Sequence, residues 1–155
     1  MKKLSLPTFK QETEYTCGPA ALRAIFTYFD KSFTEKEIET FCQSKPWPIG
    51  TDNDNMSKAP SLAGLFGKTE ENASIETLAK YIDRGIPVLV NFIDVPQKSG
   101  HFATLVGYTD TELIFNDPWN GPDYALPKEG FYEIWRAENE PKKGWLLAIS
   151  DKEIA

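Results

Sequence analysis

Apolar and polar positions in the first half of the chain follow the period of an α-helix. A first helix is predicted over residues 18–29, where apolar side chains recur three or four positions apart. A second helix is predicted to begin after Thr34, because Glu37 three positions later completes a capping box. A third is predicted to begin after Ser74 and to end before Gly85. The first half of the chain is therefore predicted to be mainly helical.

The second half changes to patterns rich in β-branched and aromatic residues, which are typical of strands. Strands are predicted over four ranges: 88–93, 102–108, 112–116 and 145–150. The second and third are predicted to pair antiparallel about a tight turn. Between the regular elements, loops are predicted for 45–60 and 117–127, and short helices for 61–66 and 131–135. Helices followed by strands indicate an α+β fold, and we expect a single domain over residues 1–155.

The charge and hydropathy of the chain limit its classes of partner. Lys and Arg total 17 against 23 Asp and Glu, which gives a formal net charge of −6 at pH 7. A surface with this charge repels phosphate backbones, so we expect no nucleic-acid binding. The longest apolar stretch, residues 86–93, is far shorter than the roughly 20 residues that a membrane span requires. The N-terminus does not resemble a signal peptide, so we expect no membrane span and a cytoplasmic location.

The inventory of cysteine and histidine is small. The chain has two cysteines and one histidine, whereas a structural zinc site needs about four such ligands. We therefore predict no metal site, no cofactor and no disulfide framework. Cys42 shares a predicted helix face with Ile38 and Phe41, and we predict that it lies in the core.

Cys17 stands directly before the first predicted helix, in the sequence T-C-G-P-A-A-L. The free N–H groups and the macrodipole at a helix N-terminus stabilise a thiolate. Gly18 is predicted to leave room for a substrate carbonyl, and the Cys17 N–H can donate to a developing oxyanion. Gln11, six positions upstream, can donate a second hydrogen bond from its side-chain amide. Taken alone, this segment is as typical of a cysteine buried in the core.

His101 is the only histidine, and it is predicted to open a strand. A strand end is a rigid mount for a general base, although a lone histidine is more often a surface residue without a role. Antiparallel pairing about the turn would bring His101 opposite Asp117, whose carboxylate can hold the second imidazole nitrogen. Asn116 is the alternative orienting residue. The Asn-Asp-Pro segment is also typical of a simple turn.

Together, the segments around Cys17, His101 and Asn116-Asp117-Pro118 resemble the C39-like peptidases of the papain-like superfamily. The resemblance covers roughly Leu6 to Ile149. It implies an α+β papain-like cysteine protease fold, in which an N-terminal helical lobe carries the nucleophile at a helix N-terminus and packs on an antiparallel β-sheet. It also implies a catalytic set that cleaves a peptide or related amide through a thioester acyl-enzyme. Its members are Cys17 as nucleophile, His101 as base, Asp117 as the residue that orients the base, and Gln11 as oxyanion donor.

Two departures from the family limit what the resemblance carries over. Peptidase domains of bacteriocin-exporting transporters usually have Asp before the cysteine and lack a proline after Cys-Gly, whereas this chain has Thr16 and Pro19. The chain therefore resembles the stand-alone branch, and cleavage after a double glycine is not carried over. A catalytically idle peptide-binding module and an acyl transferase with the same triad stay open as alternatives. Trp47 and Trp119, in predicted loops, either line a substrate cleft or belong to the core.

Overall fold

The helices and strands form a mixed fold in the computed structural model, which describes residues 2–13, 15–46, 49–94, 99–136 and 143–155. The helices are α1 (Cys17–Tyr28), α2 (Glu35–Cys42), α3 (Asn53–Leu62), α4 (Ile75–Asp83) and α5 (Lys128–Trp135). The strands are β1 (Lys2–Lys3), β2 (Phe66–Glu70), β3 (Val88–Asp94), β4 (Ser99–Tyr108), β5 (Glu112–Asp117), β6 (Gly121–Pro127) and β7 (Leu146–Ser150). The predicted α+β class is confirmed.

The seven strands in the described part of the chain form one antiparallel sheet. Its order is β2-β7-β3-β4-β5-β6, and β1 adds to β4 beside this path. The predicted pairing of β4 with β5 is confirmed, with Thr104 opposite Asn116 and a register shift between Leu105 and Gly107. β4 begins at Ser99, so His101 is its third residue and not its first.

Helices cover both faces of the sheet, and each face has its own apolar cluster. One cluster joins α1, α2 and α3 to the sheet, and the other joins α4 and α5 to the opposite face. Along β3, Val88 and Val90 belong to the second cluster and Leu89 to the first. Because both faces are covered, the central strands read as continuous apolar runs.

The helices with clear start signals were predicted correctly. The capping box at the start of α2 is present, since Thr34 accepts the Glu37 N–H and Glu37 accepts the Thr34 N–H. Ser74 caps α4 by accepting the Thr77 N–H. None of the helices in the described ranges is long and apolar enough to cross a membrane.

The loop predicted for 45–60 is wrong over its second part, which forms α3. Asp52 caps this helix by accepting the Asn55 N–H at 2.7 Å, and Met56 and Ala59 are fully buried. Pro60 lies in its last turns, where the lost backbone hydrogen bond is offset by burial. The short helix predicted for 61–66 is also wrong, because α3 ends at Leu62 and β2 begins at Phe66.

The loop predicted for 117–127 is wrong, because most of it forms β6. This strand lies at the edge of the sheet and, among the described strands, pairs only with β5, with Phe115 opposite Tyr124. Gly121 and Asp123 have positive φ, and the register shifts beside them. Proline and glycine are tolerated at an irregular edge strand, so composition alone does not reveal it.

Candidate active site

Cys17 is the first residue of α1 and is partly exposed. The N-cap residue before it, Thr16, makes no side-chain cap of the helix. The other helices that begin in the first half of the chain are capped, by Thr34, Asp52 and Ser74. The N–H groups at the start of α1 are therefore not occupied by a cap, and they lie beside the thiol.

His101 is buried in β4 and contacts both other members of the predicted triad. Its Nε2–H donates to the two carboxylate oxygens of Asp117, at 2.9 and 3.0 Å. The Cys17 thiol lies close enough to the same imidazole to raise its pKa, and Nδ1 is the ring nitrogen that Asp117 does not engage. Phe92, opposite His101 in β3, holds the ring edge to face with centroids 5.6 Å apart. Residues 17, 101 and 117 therefore converge.

The electrostatics of this cluster favour an imidazolium. Burial alone would lower the pKa of His101, but its hydrogen bonds with Asp117 and Cys17 and their negative charges raise that pKa to about 10. Burial likewise opposes the charged form of Asp117. The hydrogen bond with His101, its positive charge and two backbone N–H donors nevertheless lower the pKa of Asp117. A positively charged imidazole therefore lies beside the Cys17 sulfur.

Asp117 makes both of the arrangements that its sequence context allows. Its Oδ1 atom accepts the N–H groups of Trp119 and Asn120 at 2.8 and 2.9 Å, so the turn is formed as well as the contact with His101. Asn116, the alternative orienting residue, instead donates its side-chain amide to the carbonyls of Leu6 and Pro7, both at 3.3 Å.

Gln11 is buried beside the turn that follows β5. Its backbone N–H donates to the Pro118 carbonyl at 2.9 Å. Its side-chain Nε2 donates to the Thr13 carbonyl at 2.8 Å, while its buried Oε1 has no partner within the described part of the chain. An amide nitrogen carries two hydrogens, so the bond to Thr13 fixes the amide and leaves a second N–H.

Gly18 packs against other parts of the protein and does not leave the predicted room for a substrate carbonyl. A Cβ built on Gly18 would stand 2.8 Å from the Met56 sulfur and 3.3 Å from the Phe102 ring. The space beside this glycine is therefore filled by the protein, and close packing of α1 on α3 and β4 explains the residue. This contact could not be predicted from the sequence, since Met56 falls within the range predicted as a loop.

Cys42 lies in the core, as predicted. Its side chain is fully buried, 3.9 Å from the Met56 sulfur, and burial followed by the charge of Asp52 raises the pKa of this thiol to about 12. Among the tryptophans, Trp135 and Trp145 are buried and Trp119 is 50% exposed. Trp47 lies outside the described residues.

Solved structures share this fold. The peptidase domain of Streptococcus ComA, a bi-functional ABC transporter involved in a quorum sensing pathway, matches 98% of this chain over 100% of its own, with 19% identity and a TM-score of 0.74. A C39-like peptidase from Bacillus anthracis matches with 14% identity and a TM-score of 0.75, over 98% of each chain. A double glycine motif protease from a transporter, solved with its leader peptide, covers 96% of this chain at 22% identity and a TM-score of 0.71, over 93% of its own length. The predicted papain-like α+β fold is confirmed.

The sequence identifies the family. The profile of the Peptidase_C39 like family matches residues 3–142. The chain belongs to the Peptidase_C39 like family, as the resemblance predicted, and membership supports a peptidase at the family level. None of the curated proteins compared with the chain matches it. The catalytic roles of Cys17, His101, Asp117 and Gln11 stay predictions.

Proposed function

We propose that this protein is a cysteine peptidase that cleaves a peptide or related amide bond through a thioester acyl-enzyme. The observation that carries the proposal is the position of His101, whose imidazole hydrogen-bonds to Asp117 and interacts with the nearby Cys17 thiol. In this proposal Cys17 is the nucleophile, His101 the acid and base, and Asp117 the residue that orients the imidazole. Gln11 is the oxyanion donor.

In acylation, the Cys17 thiolate attacks the substrate carbonyl carbon, and a C–S bond forms while the carbonyl electrons move to oxygen. The N–H of Cys17 at the start of α1 and the Gln11 amide donate hydrogen bonds to this oxyanion. The C–N bond then breaks, and the proton of the His101 imidazolium goes to the leaving amine.

In deacylation, neutral His101 takes a proton from water as the water attacks the thioester. The acid product leaves, Cys17 departs as a thiolate, and the imidazolium is restored. Asp117 keeps its hydrogen bond to Nε2 in both steps, so Nδ1 stays directed at the reacting atoms.

We propose a peptide as the binding partner. A relative with this fold was solved in complex with its leader peptide, which supports a peptide ligand for the family's cleft. Half-exposed Trp119, which follows Asp117 by two residues, is a candidate for the cleft wall, and the Lys10 ammonium lies 5.8 Å from its ring centroid.

We also propose a cytoplasmic location, since both cysteines are free and a reducing compartment keeps thiols in the free form.

The first test is selective alkylation of Cys17. Native protein is treated with iodoacetamide at about pH 6 and the label is mapped by mass spectrometry. We expect label on Cys17 and not on Cys42, because the pKa of Cys42 is raised to about 12 and its side chain is fully buried. Denatured protein should label at both, which is the control. Equal labelling of both thiols in the native protein would refute the assignment.

The second test separates an enzyme from a binding module. An activated substrate with a small acyl group, an N-acyl-glycine 4-nitrophenyl ester, reports turnover without demanding a particular peptide. We expect the wild type and Cys42→Ser to release nitrophenol and Cys17→Ser to release none. Gln11→Ala should lower kcat by roughly 10²–10³ with unchanged melting, the usual effect of removing one oxyanion donor. Labelling of Cys17 without turnover would favour the idle module, and an amide product in the presence of added amine would favour the transferase.

A further inference from the structure

Glu35 is a buried carboxylate that the proposed reaction does not use. It is the first residue of α2 and is 2% exposed. Its Oε2 atom accepts the backbone N–H of Glu12 at 2.8 Å and the hydroxyl of Thr16 at 2.9 Å. Glu12 follows the proposed oxyanion donor, and Thr16 precedes the proposed nucleophile. One carboxylate oxygen therefore holds both ends of the segment that carries Gln11 and Cys17.

The hydrogen bond with Glu35 also determines what Thr16 does. A threonine at an N-cap commonly accepts an N–H of its own helix. Here its Oγ1 donates to Glu35 and accepts the N–H of Thr13 at 3.1 Å, and α1 has no side-chain cap. Thr13 in turn accepts the Gln11 side-chain amide through its carbonyl. A chain of hydrogen bonds thus runs from Glu35 through Thr16 and Thr13 to Gln11.

This arrangement has an energetic cost that packing does not explain. Among the described residues, the second oxygen of Glu35, Oε1, has no hydrogen-bond partner although it is buried. Burial raises the pKa of Glu35, while the hydrogen bonds from Glu12 and Thr16 oppose the rise. A buried carboxyl group with one unpaired oxygen destabilises a fold, and such groups are retained mainly where they serve a function.

We propose that Glu35 is a positioning residue for the peptidase reaction, holding Glu12 and Thr16 so that the Gln11 amide and the uncapped N-terminus of α1 face the same oxyanion. This role rests on the proposed function. Glu35 touches neither Cys17 nor His101 in any hydrogen bond seen here, and it acts through Gln11. Its loss should therefore impair stabilisation of the oxyanion and leave the thiolate–imidazolium pair intact.

The experiment compares turnover with alkylation in Glu35→Ala. We expect kcat on the N-acyl-glycine nitrophenyl ester to fall by ~10- to 100-fold with KM little changed, since a small misplacement of a catalytic group costs rate in this range. Alkylation of Cys17 by iodoacetamide needs no oxyanion donor, so its rate should stay within roughly threefold of wild type. Glu35→Gln keeps an oxygen acceptor for both bonds, and we expect it to recover most of the lost kcat.

Matched variants separate positioning from stability. Glu37→Ala removes the other acidic side chain from the first turn of α2. The Glu37 carboxylate accepts the Thr34 N–H in the capping box, so this variant should lower the melting temperature without lowering kcat. Thr16→Val removes one of the two bonds to Glu35 and should lower kcat in the same direction even if Glu35→Ala does not fold. In a Gln11→Ala background, Glu35→Ala should cost less than about threefold further, because the two act through one donor.

Each result of these experiments either supports or overturns the role of Glu35. Wild-type kcat in a folded Glu35→Ala or Thr16→Val would overturn the role of Glu35 while leaving the proposed function in place. So would a fall in turnover matched by an equal fall in alkylation, or a full additive loss in the Gln11→Ala background. A wild-type protein that neither alkylates selectively at Cys17 nor turns over the ester would overturn both proposals.

Discussion

Two opposing effects act on the imidazole of His101. Its side chain is almost fully enclosed, and enclosure disfavours a charged ring. The Asp117 carboxylate, itself 1% exposed and fixed by two backbone N–H groups, more than offsets that cost together with Cys17. Because the carboxylate belongs to a turn that is hydrogen-bonded within itself, it stays in place whether or not the ring is charged.

The charged ring gives stability a pH dependence. The pKa of His101 is raised from 6.5 to about 10 in the folded protein, so its contribution is full below about pH 6.5 and is lost as the pH rises toward 10. The wild type is the protein to measure, because Asp117 and Cys17 both contribute to the raised pKa. The free energy of unfolding should then fall above pH 6.5 by at most ~1.4 kcal/mol per pH unit.

Urea titrations at several pH values between 6 and 10 measure this slope. The matched control is His101→Gln, in which the ring is absent and the slope should be flatter. Parallel curves for the two proteins would contradict a raised pKa at His101.

Some of the residues at the candidate site could be predicted from the sequence, and others could not. The three segments around residues 17, 101 and 117 were found because each carries a local pattern. Glu35 has no such pattern, since an acid in the first turn of a helix is ordinary. Glu35 is buried because α2 packs beside Glu12 and Thr16, and a tertiary contact of this kind leaves no local pattern in the sequence. The hydrogen bonds from the Asn116 amide to the Leu6 and Pro7 carbonyls are likewise tertiary contacts, which a local pattern does not reveal.

At the scale of elements, local signals were reliable where they were strong. Capped, periodic helices such as α2 and α4 and the apolar strands β3 and β7 were all predicted. α3 and β6 were missed because their sequences are rich in Pro, Asn, Asp and Gly, and burial or pairing outweighs those propensities. β1 and β2 were missed because short or exposed edge strands carry little apolar pattern.

The pairing of β1 with β4 depends on one glycine. A Cβ on Gly107 would stand 2.5 Å from the Lys2 carbonyl and 3.0 Å from the Lys3 Cα, both backbone atoms. Gly107→Ala should therefore displace β1 and lower the free energy of unfolding by ~1–3 kcal/mol. Hydrogen exchange at Leu4, whose N–H donates to the Val106 carbonyl at 2.7 Å, should lose its protection.

Gly130→Ala is the matched control for this prediction. Gly130 lies in α5 with nothing within 4 Å of an added Cβ, so this variant should gain roughly 0.5–1 kcal/mol from reduced backbone freedom. Retained protection of Leu4 in Gly107→Ala would contradict the steric argument.

At the scale of the whole molecule, the two helical layers share one sheet. β7 contributes Leu146 and Ala148 to one cluster and Leu147 and Ile149 to the other. A hydrogen bond from the Trp135 indole to the Trp145 carbonyl, at 2.8 Å, joins α5 to the segment that leads into β7. Neither layer can separate from the sheet without exposing strands on which the other layer packs.

The shared sheet predicts one cooperative unfolding transition. Phe26→Leu in the α1 layer and Phe131→Leu in the α5 layer replace fully buried rings on opposite faces. Each should cost roughly 1 kcal/mol and lower the urea midpoints of tryptophan fluorescence and far-UV circular dichroism together. Separate midpoints for the two probes, in either variant, would show that the layers unfold independently.

Residues 2–11 are held in place by residues that lie about a hundred positions later in the chain. Lys2 and Lys3 pair with Tyr108 and Gly107, and the Asn116 amide binds the Leu6 carbonyl across 110 positions of sequence. The Pro118 carbonyl, which accepts the Gln11 N–H, is synthesised about a hundred positions after Cys17, and so is Asp117. The proposed activity therefore begins only once β5 has been synthesised and paired with β4, and a nascent chain that ends before β5 carries no working site.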